Sequence, residues 1–520
     1  MCGIYLTNLP IKKSKLQSKI KSIKHRGPDY NGTLQKDGLT FGHTRLSILD
    51  LDSRSHQPME HENYLIVFNG EIYNYKDIRL ELCDLGESFT TQSDTEVLLV
   101  GYKIWGKALL NKLNGMFAFC IYDKNNNEVF CARDRLGVKP FYYSWENGNF
   151  EICSEIKSLS ENRQIDKEAI EIYLQTGYIP SPWTVYEGVK KLKAGHFMIL
   201  NLKSNEVLFE QYWELKKIVL CKLPYEEAKN KLHELLKDAV KIRLNSDVPF
   251  GSFLSGGIDS ALVSSIANKQ ISGKLKTFTI GFDNPKYDES LLAETFSNII
   301  GSSHTETTCS PKDLLELFPD FFSSYGEPFA DPSAIPSLLL NKTTKPNVTV
   351  ALSGDGGDES FLGYNHFDWS WKVKSVFKVP FVIRAFLSKF IPFKLAGKRG
   401  QGIKNILNYK NFDYFIEGIF TGFGPFLLKS KKTEWMKEYK LFKSLSNEPL
   451  QQTADLNIKL WLDNDSNVKV DRASMAYAVE VRSPFLDYRI IEFARTLPVS
   501  YRFQKGKRKR ILRDILNEYI

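Results

Sequence analysis

The spacing of hydrophobic residues changes character a little past residue 200. Before that point, short apolar runs at 64–68, 116–122, 128–132, 141–145 and 196–200 each predict a strand. Asn125-Asn126-Asn127 and Asn147-Gly148-Asn149 read as loops between them. The region predicts few strong helices. One is expected over 94–105, with Ser93 or Asp94 as its cap and Glu96 in the first turn. From about Tyr225 the period becomes helical: Ala228, Leu232, Leu235, Leu236, Ala239 and Val240 share one face of a helix over 226–244. Strand-like runs at 250–254, 277–282 and 348–352 then alternate with helical stretches, the rhythm of a parallel α/β sheet. The change places a boundary between 205 and 222 and predicts two domains, 1–210 and 211–520. Residues 361–450 read as helical, basic and aromatic, with no chemistry assigned.

Composition narrows the class. A chain of 520 residues exceeds one hydrophobic core. Hydrophobic content of 42% and charged content of 25% are those of an ordinary globular protein. A net charge of +9 at this length permits nucleic-acid binding without requiring it. The seven cysteines are scattered, with no Cys-x-x-Cys pair, which argues against a disulfide framework or a structural zinc site. Reduced thiols and the absence of a signal-like N-terminus make the cytoplasm the expected location. The apolar stretch 376–393 is broken by Lys378, Arg384 and Lys389, so it predicts an amphipathic surface segment rather than a membrane span.

Two glycine loops carry candidate chemistry in the second domain. An apolar run ending at Leu254 leads into Ser255-Gly256-Gly257-Ile258-Asp259-Ser260 and then a helix. Two glycines let the backbone approach a bulky anion, and the helix N-terminus offers free N–H groups to phosphate. Ser255 and Ser260 add hydroxyls, and Asp259 calls for Mg²⁺ between itself and a phosphate. No Gly-Lys-Ser/Thr ends the loop, so it is not the Walker pattern. The second loop, Ser353-Gly354-Asp355-Gly356-Gly357-Asp358-Glu359, follows another apolar run and brings three acids close together, again favouring a metal–phosphate site.

In the first domain, Cys2 directly follows Met1. If Met1 is removed, the free α-amine can serve as the base for the thiol. Further along, His25-Arg26-Gly27-Pro28-Asp29 reads as a polar turn, and Arg45 lies beside a strand. Asn69 and Gly70 stand where a strand would end in a turn, offering an amide and an N–H to an oxyanion. Arg45 suits a carboxylate, and Glu71 and Asp94 suit an ammonium group, which together fit a free α-amino acid. Each also has a plain structural reading: an Asn-Gly turn, an ion-paired arginine, a helix-capping aspartate.

Met-Cys-Gly-Ile, His-Arg-Gly-Pro-Asp, Arg-Leu-Ser-Ile-Leu-Asp, Asn-Gly-Glu-Ile-Tyr-Asn and Ser-Asp-Thr-Glu, in this order, resemble the class II glutamine amidotransferase domain. With the 254–260 loop, nearly the whole chain is similar to the glutamine-hydrolysing asparagine synthetase family. The resemblance implies an α+β N-terminal Ntn-hydrolase sandwich (αββα) followed by an α/β parallel-sheet ATP-pyrophosphatase domain of the adenine nucleotide α-hydrolase type. It implies that Cys2 forms a glutamyl thioester and releases ammonia, with Arg45 on the glutamine carboxylate, Glu71 and Asp94 on its amine, and Asn69 and Gly70 on the oxyanion. It implies that Ser255, Gly256, Gly257, Asp259 and Ser260 bind pyrophosphate, that Leu254, Ile280, Ser353 and Gly354 line the adenosine site, and that Asp259 and Asp358 serve Mg²⁺. Asp355 stands where the family often has Glu, one methylene longer, as the carboxylate that helps ammonia attack. Lys509, in the basic tail 505–513, takes the place of the lysine that neutralises the adenylate and the leaving pyrophosphate.

The implied reaction adenylates aspartate with ATP and transfers glutamine-derived ammonia through a dry internal passage. Segment 327–336 lacks the arginine of the best-known aspartate-specific members, so another carboxylate, such as a uronic acid, stays open as acceptor. Many relatives continue for tens of residues past the equivalent of Arg513, which raises the question of what supports Lys509. The expected partners are small molecules: glutamine, ATP and the acceptor. Asp471-Arg472 and Glu480-Val481-Arg482 also match the family, with no role assigned. Neither nucleic acid nor membrane is expected, and a homodimer is left open.

Overall fold

The computed structural model describes residues 2–159, 163–391, 397–420, 445–504 and 506–520; Met1, Lys505, Pro392, Phe393 and most of 421–450 lie outside them. Residues up to Gln211 build two six-stranded antiparallel sheets. One runs in the order Val189–Lys191, Tyr142–Glu146, Asn149–Cys153, Gly3–Thr7, Leu39–Arg45, Tyr30–Lys36. The other runs Glu206–Gln211, His196–Asn201, Glu128–Arg133, Gly115–Asp123, Tyr64–Ile72, Met59–His61.

Period-two alternation explains the layering. Leu65, Val67, Ala118, Cys120 and Tyr122 point between the sheets and meet Ile4, Leu6 and Phe41 of the opposite sheet. Ile66, Phe68, Phe117, Phe119 and Ile121 point outward and are covered by the helices Tyr75–Asp84 and Asp94–Trp105. On the other outer face, Tyr5, Tyr142 and Cys153 lie under Lys13–Ser22 and Lys167–Thr176. The result is an αββα sandwich. Of its helices, only Asp94–Trp105 was expected. The others are short, with polar outer faces, and take their stability from the sheet rather than from propensity.

Tyr225–Arg243 opens the second half, and its buried Leu232, Leu236, Ala239 and Val240 pack on the helix Ile258–Gln270. The sheet here is wholly parallel, in the order Ser303–Cys309, Lys276–Phe282, Phe250–Phe253, Val350–Leu352, Glu480–Arg482. The chain starts at the central strand, winds outward on one side, then returns to wind outward on the other. The reversal falls between Phe250–Phe253 and Val350–Leu352, and both strands run directly into a glycine loop. Such a switch point is where open α/β sheets bind ligands.

Of the 361–450 region, Asn365–Val373, Phe381–Ser388, Gly397–Asn408 and Phe412–Phe420 are helical. Phe381–Ser388 leaves Val382, Ile383 and Phe386 exposed, while its Arg384 is buried and donates to four backbone carbonyls. No described helix is long and apolar enough to cross a membrane.

Candidate active sites

Cys2 is buried at the start of the central strand Gly3–Thr7. Its backbone N–H donates to Asn69 Oδ1 at 3.1 Å, and Arg26 Nε donates to its carbonyl at 3.0 Å. Burial pushes the Cys2 thiol up, against a hydrogen bond from the Leu46 backbone and the Arg45 charge. Asn69 and Gly70 lie inside the strand Tyr64–Ile72, paired with Ala118 and Phe117, not in the turn their dipeptide predicts. The sheet overrides the local preference, and a Cβ at Gly70 would come within 2.1 Å of the Met116 carbonyl. With Asn69 Oδ1 taken by the Cys2 backbone, the buried Asn69 Nδ2 makes no hydrogen bond among the described residues, leaving an unpaired donor on a residue that touches Cys2.

Arg45 is held by the carbonyls of Leu49, Asp50 and Asp52, so its guanidinium and the 49–52 loop form one unit. Asp94 is the first residue of its helix; Ser93 is the cap, accepting from Glu96 N at 3.3 Å. Asp94 Oδ2 accepts from Ile72 N at 2.9 Å, and burial raises this carboxyl to about 6. Burial also raises Glu71, which faces Arg482 at 3.1 Å. Cys2, Arg45, Gly70, Glu71 and Asp94 enclose a cavity of about 40 Å³, and Glu480 closes its wall from the second half of the chain.

The second site is a cavity of about 540 Å³ at the switch point. Leu254, Ser255, Gly257, Asp259, Ser260, Ile280, Ser353, Gly354, Asp355, Asp358 and Lys509 all line it. Gly256 does not line it; a Cβ there would meet Leu292 at 3.0 Å, so this glycine serves the turn's packing against the helix Ser290–Ile300. The first loop is self-braced: Ser260 Oγ lies 2.9 Å from Ser255 Oγ and accepts from Ser255 N, while Gly257 N donates to Ser255 Oγ. The loops are packed together, since a Cβ at Gly357 would lie 2.5 Å from the Asp259 carboxyl.

Lys509 Nζ sits 2.5 Å from Asp259 Oδ2 and 2.7 Å from Asp358 Oδ1. The basic tail is therefore not a solvated patch at this residue. Lys509 adopts φ +55°, a left-handed conformation uncommon for a non-glycine residue, at the start of the helix Arg510–Leu516. Ile511, Leu512, Ile515 and Leu516 anchor that helix in the core, so the support for Lys509 lies within this chain. Burial raises Asp259 to about 7 despite the lysine, and raises Glu359 to about 7 beside the Tyr364 hydroxyl.

Residues 1–213 match the glutamine amidotransferase domain family, and residues 231–520 match the asparagine synthase family. The chain is 34% identical over 509 residues to "Asparagine synthetase [glutamine-hydrolyzing] 1" of Bacillus subtilis, covering 94% of this chain and 79% of that protein. It is 38% identical over 439 residues to "Putative asparagine synthetase [glutamine-hydrolyzing] 2" of Methanocaldococcus jannaschii, covering 78% and 83%. The chain belongs to the glutamine-hydrolysing asparagine synthetase family. A putative member from Mycobacterium tuberculosis is 31% identical over 531 residues, covering 96% of this chain and 80% of its own length.

Two groups that this family member carries had no assigned role in the sequence. Arg26, expected in a polar turn, is fully buried and ion-paired with Asp471 at 2.8 Å and Glu155 at 2.9 Å. Against the upward push of burial, Arg26 and Lys139 hold Asp471 down at about 2. Arg472 joins the group through Glu155 at 2.9 Å and the Tyr142 hydroxyl. This network ties the sandwich to the parallel-sheet half. The second group is Glu480 with Arg482, whose Nε donates to Glu480 at 2.6 Å. Both groups lay in motifs that the sequence marked; what it could not show was that Arg26 reaches Asp471, and Arg482 reaches Glu71, across the halves.

In the acceptor segment 327–336, Asp331 pairs with Lys469 at 2.9 Å, and Ser333 and Lys469 line the large cavity. This supplies a half-buried cation near the place where the segment lacks an arginine. Among the described residues, no trio of Asp, Glu, His or Cys gathers into a self-sufficient metal cage. Mg²⁺ in nucleotide sites instead uses one or two carboxylates plus substrate phosphates. Asp259 and Asp358 fit that smaller requirement, and the buried Asp259 Oδ1 makes no hydrogen bond among the described residues.

Proposed function

We propose that the protein is a glutamine-hydrolysing asparagine synthetase, converting glutamine, aspartate and ATP into glutamate, asparagine, AMP and pyrophosphate. The observation that carries this reading is the pairing, in one chain, of a buried Cys2 cavity with a nucleotide-sized cavity at a parallel-sheet switch point. Residues 1–210 do the first half-reaction and 211–520 the second.

In the first site, the Cys2 thiolate attacks the glutamine side-chain carbonyl. Met1 removal would free the α-amine that takes the thiol proton. Asn69 Nδ2 and Gly70 N–H stabilise the oxyanion, ammonia leaves, and water then cleaves the thioester to glutamate. Arg45 receives the substrate carboxylate, and Glu71 and Asp94 its ammonium.

In the second site, the 255–260 loop cradles the ATP phosphates, and Leu254, Ile280, Ser353 and Gly354 line the adenosine. The aspartate side-chain carboxylate displaces pyrophosphate from the α-phosphorus, giving an acyl-adenylate. Lys509 stabilises the charge that builds on both products. Asp259 and Asp358 would hold Mg²⁺, which supplies charge neutralisation on the phosphates when bound. Asp355 positions ammonia for attack on the activated carbonyl, and AMP leaves.

The test is pyrophosphate release with glutamine, Mg-ATP and a panel of carboxylates. Aspartate should give pyrophosphate and asparagine in equal amounts. Turnover with a uronic acid and none with aspartate would replace the acceptor while keeping the chemistry.

A further inference from the structure

The strand Glu480–Arg482 belongs to the parallel sheet of the second half, in register with Val350–Leu352. Successive side chains on a strand point to opposite faces. Val481 accordingly lines the large nucleotide cavity, while Glu480 reaches the cavity that holds Cys2. Arg482 follows Glu480 on the same side and bridges two acids, Glu480 at 2.6 Å and Glu71 at 3.1 Å. Its Nη1 is fixed by the carbonyls of Arg243 and Asn245. All three strand residues are buried.

We infer that Glu480 is a glutamine-binding residue contributed by the second half of the chain, completing with Glu71 and Asp94 a three-carboxylate cradle for the substrate's α-ammonium group. The inference rests on the glutaminase reading of the Cys2 cavity. An ammonium has three N–H donors and no acceptor, which matches three converging carboxylates. Burial raises both Glu71 and Asp94, so an arriving cation lets these acids ionise. Glu480 differs from them: although burial works against it, the N-terminal amine first, and then Arg482 and Lys139, hold it ionised. It offers a fixed negative charge before substrate enters. A consequence is that the glutamine site is complete only while the parallel-sheet edge is seated against the sandwich.

The experiment compares glutamine with 4-carbamoylbutanoate, the same molecule without its α-amine, as hydrolysis substrates of the full chain. Glu480→Gln should lower kcat/KM for glutamine by about 10- to 100-fold, the effect of a charge-assisted hydrogen bond. The same change should alter hydrolysis of the amine-free substrate less than about threefold, because no cradle contact is lost. Equal losses on both substrates, or no loss on glutamine, would overturn the inference. Ammonia-dependent pyrophosphate release reports folding; if Glu480→Gln lacks it, Glu480→Asp serves in its place. That variant should still narrow the preference for glutamine over the amine-free substrate, and an unchanged preference would overturn the inference. Failure of the glutaminase reading itself would show separately, as absent glutamine hydrolysis in the unmutated protein.

Discussion

The two cavities are built on opposite plans. The Cys2 cavity, about 40 Å³, lies against the interior of an antiparallel sandwich, and backbone pairing sets its reacting groups. Cys2 precedes one strand, Asn69 and Gly70 sit within another, and Asp94 opens a helix packed on the outer face. The nucleotide cavity, about 540 Å³, opens at the end of a parallel sheet, and loops and a lysine from the distant tail set its groups. A small preformed site suits one amino acid whose amide must meet one thiol. A wide loop-lined site suits ATP together with a second substrate. The difference implies that the sites fail independently when their reacting groups are removed.

The sharpest way to break that comparison is Cys2→Ala. Glutamine-dependent synthesis should fall by about 10⁴-fold or more, as on loss of any nucleophile that acts as a unit with its base. Ammonia-dependent pyrophosphate release should persist, and its loss would show that the sites are not separable. Lys509→Met probes the other cavity. Removing the cation between Asp259 and Asp358 should lower ammonia-dependent synthesis by about 10²- to 10³-fold, the usual size for one electrostatic stabiliser. Glutamine hydrolysis measured alone should remain readily detectable.

A third change targets what joins the halves. Arg26 is fully buried and holds Asp471 and Glu155 together. Breaking a buried pair by removing one partner leaves an uncompensated charge, so Arg26→Ala should cost about 3–5 kcal/mol of unfolding free energy in denaturant titrations. Unlike the two preceding variants, it should weaken both activities together. A loss confined to one activity would mean that the network serves a single site.

These residues also show what a sequence can and cannot display. The strand runs 64–68 and 116–122 were legible because each has two apolar faces with period two, and the helix at 94–105 because its cap is local; the first strand continues to Ile72 and the second spans Gly115–Asp123. The glycine loops were legible because their chemistry is contiguous. Asn69-Gly70 misled because turn preference is a local property, whereas pairing with Ala118 and Phe117 is decided by the neighbouring strand. Arg26 read only as part of a polar turn because the partner that justifies its burial, Asp471, is 445 positions away. Glu480 was hidden for the same reason: only the seated strand brings it to Cys2.

The smallest effect separates the cavities by pH. Asp94 is raised by burial from an ordinary value near 3.8 to about 6. The folded chain therefore holds this proton more tightly than the unfolded chain. The resulting stabilisation is full below pH about 4 and is lost as pH rises through about 6. Substrate binding has the opposite requirement, since an ammonium needs the ionised carboxylate. Glutaminase kcat/KM should therefore rise about tenfold per pH unit up to about 6 and then level, carried mainly by KM. Asp94→Asn should shift that limb and lower the plateau. Glu71 and Glu480 share the cradle with Asp94, so the limb belongs to the group as a whole, and its midpoint should move when Glu480 is neutralised. The ammonia-dependent reaction in the other cavity does not use Asp94 and should keep its pH profile in the same variant. A matching change there would mean that the two cavities titrate as one.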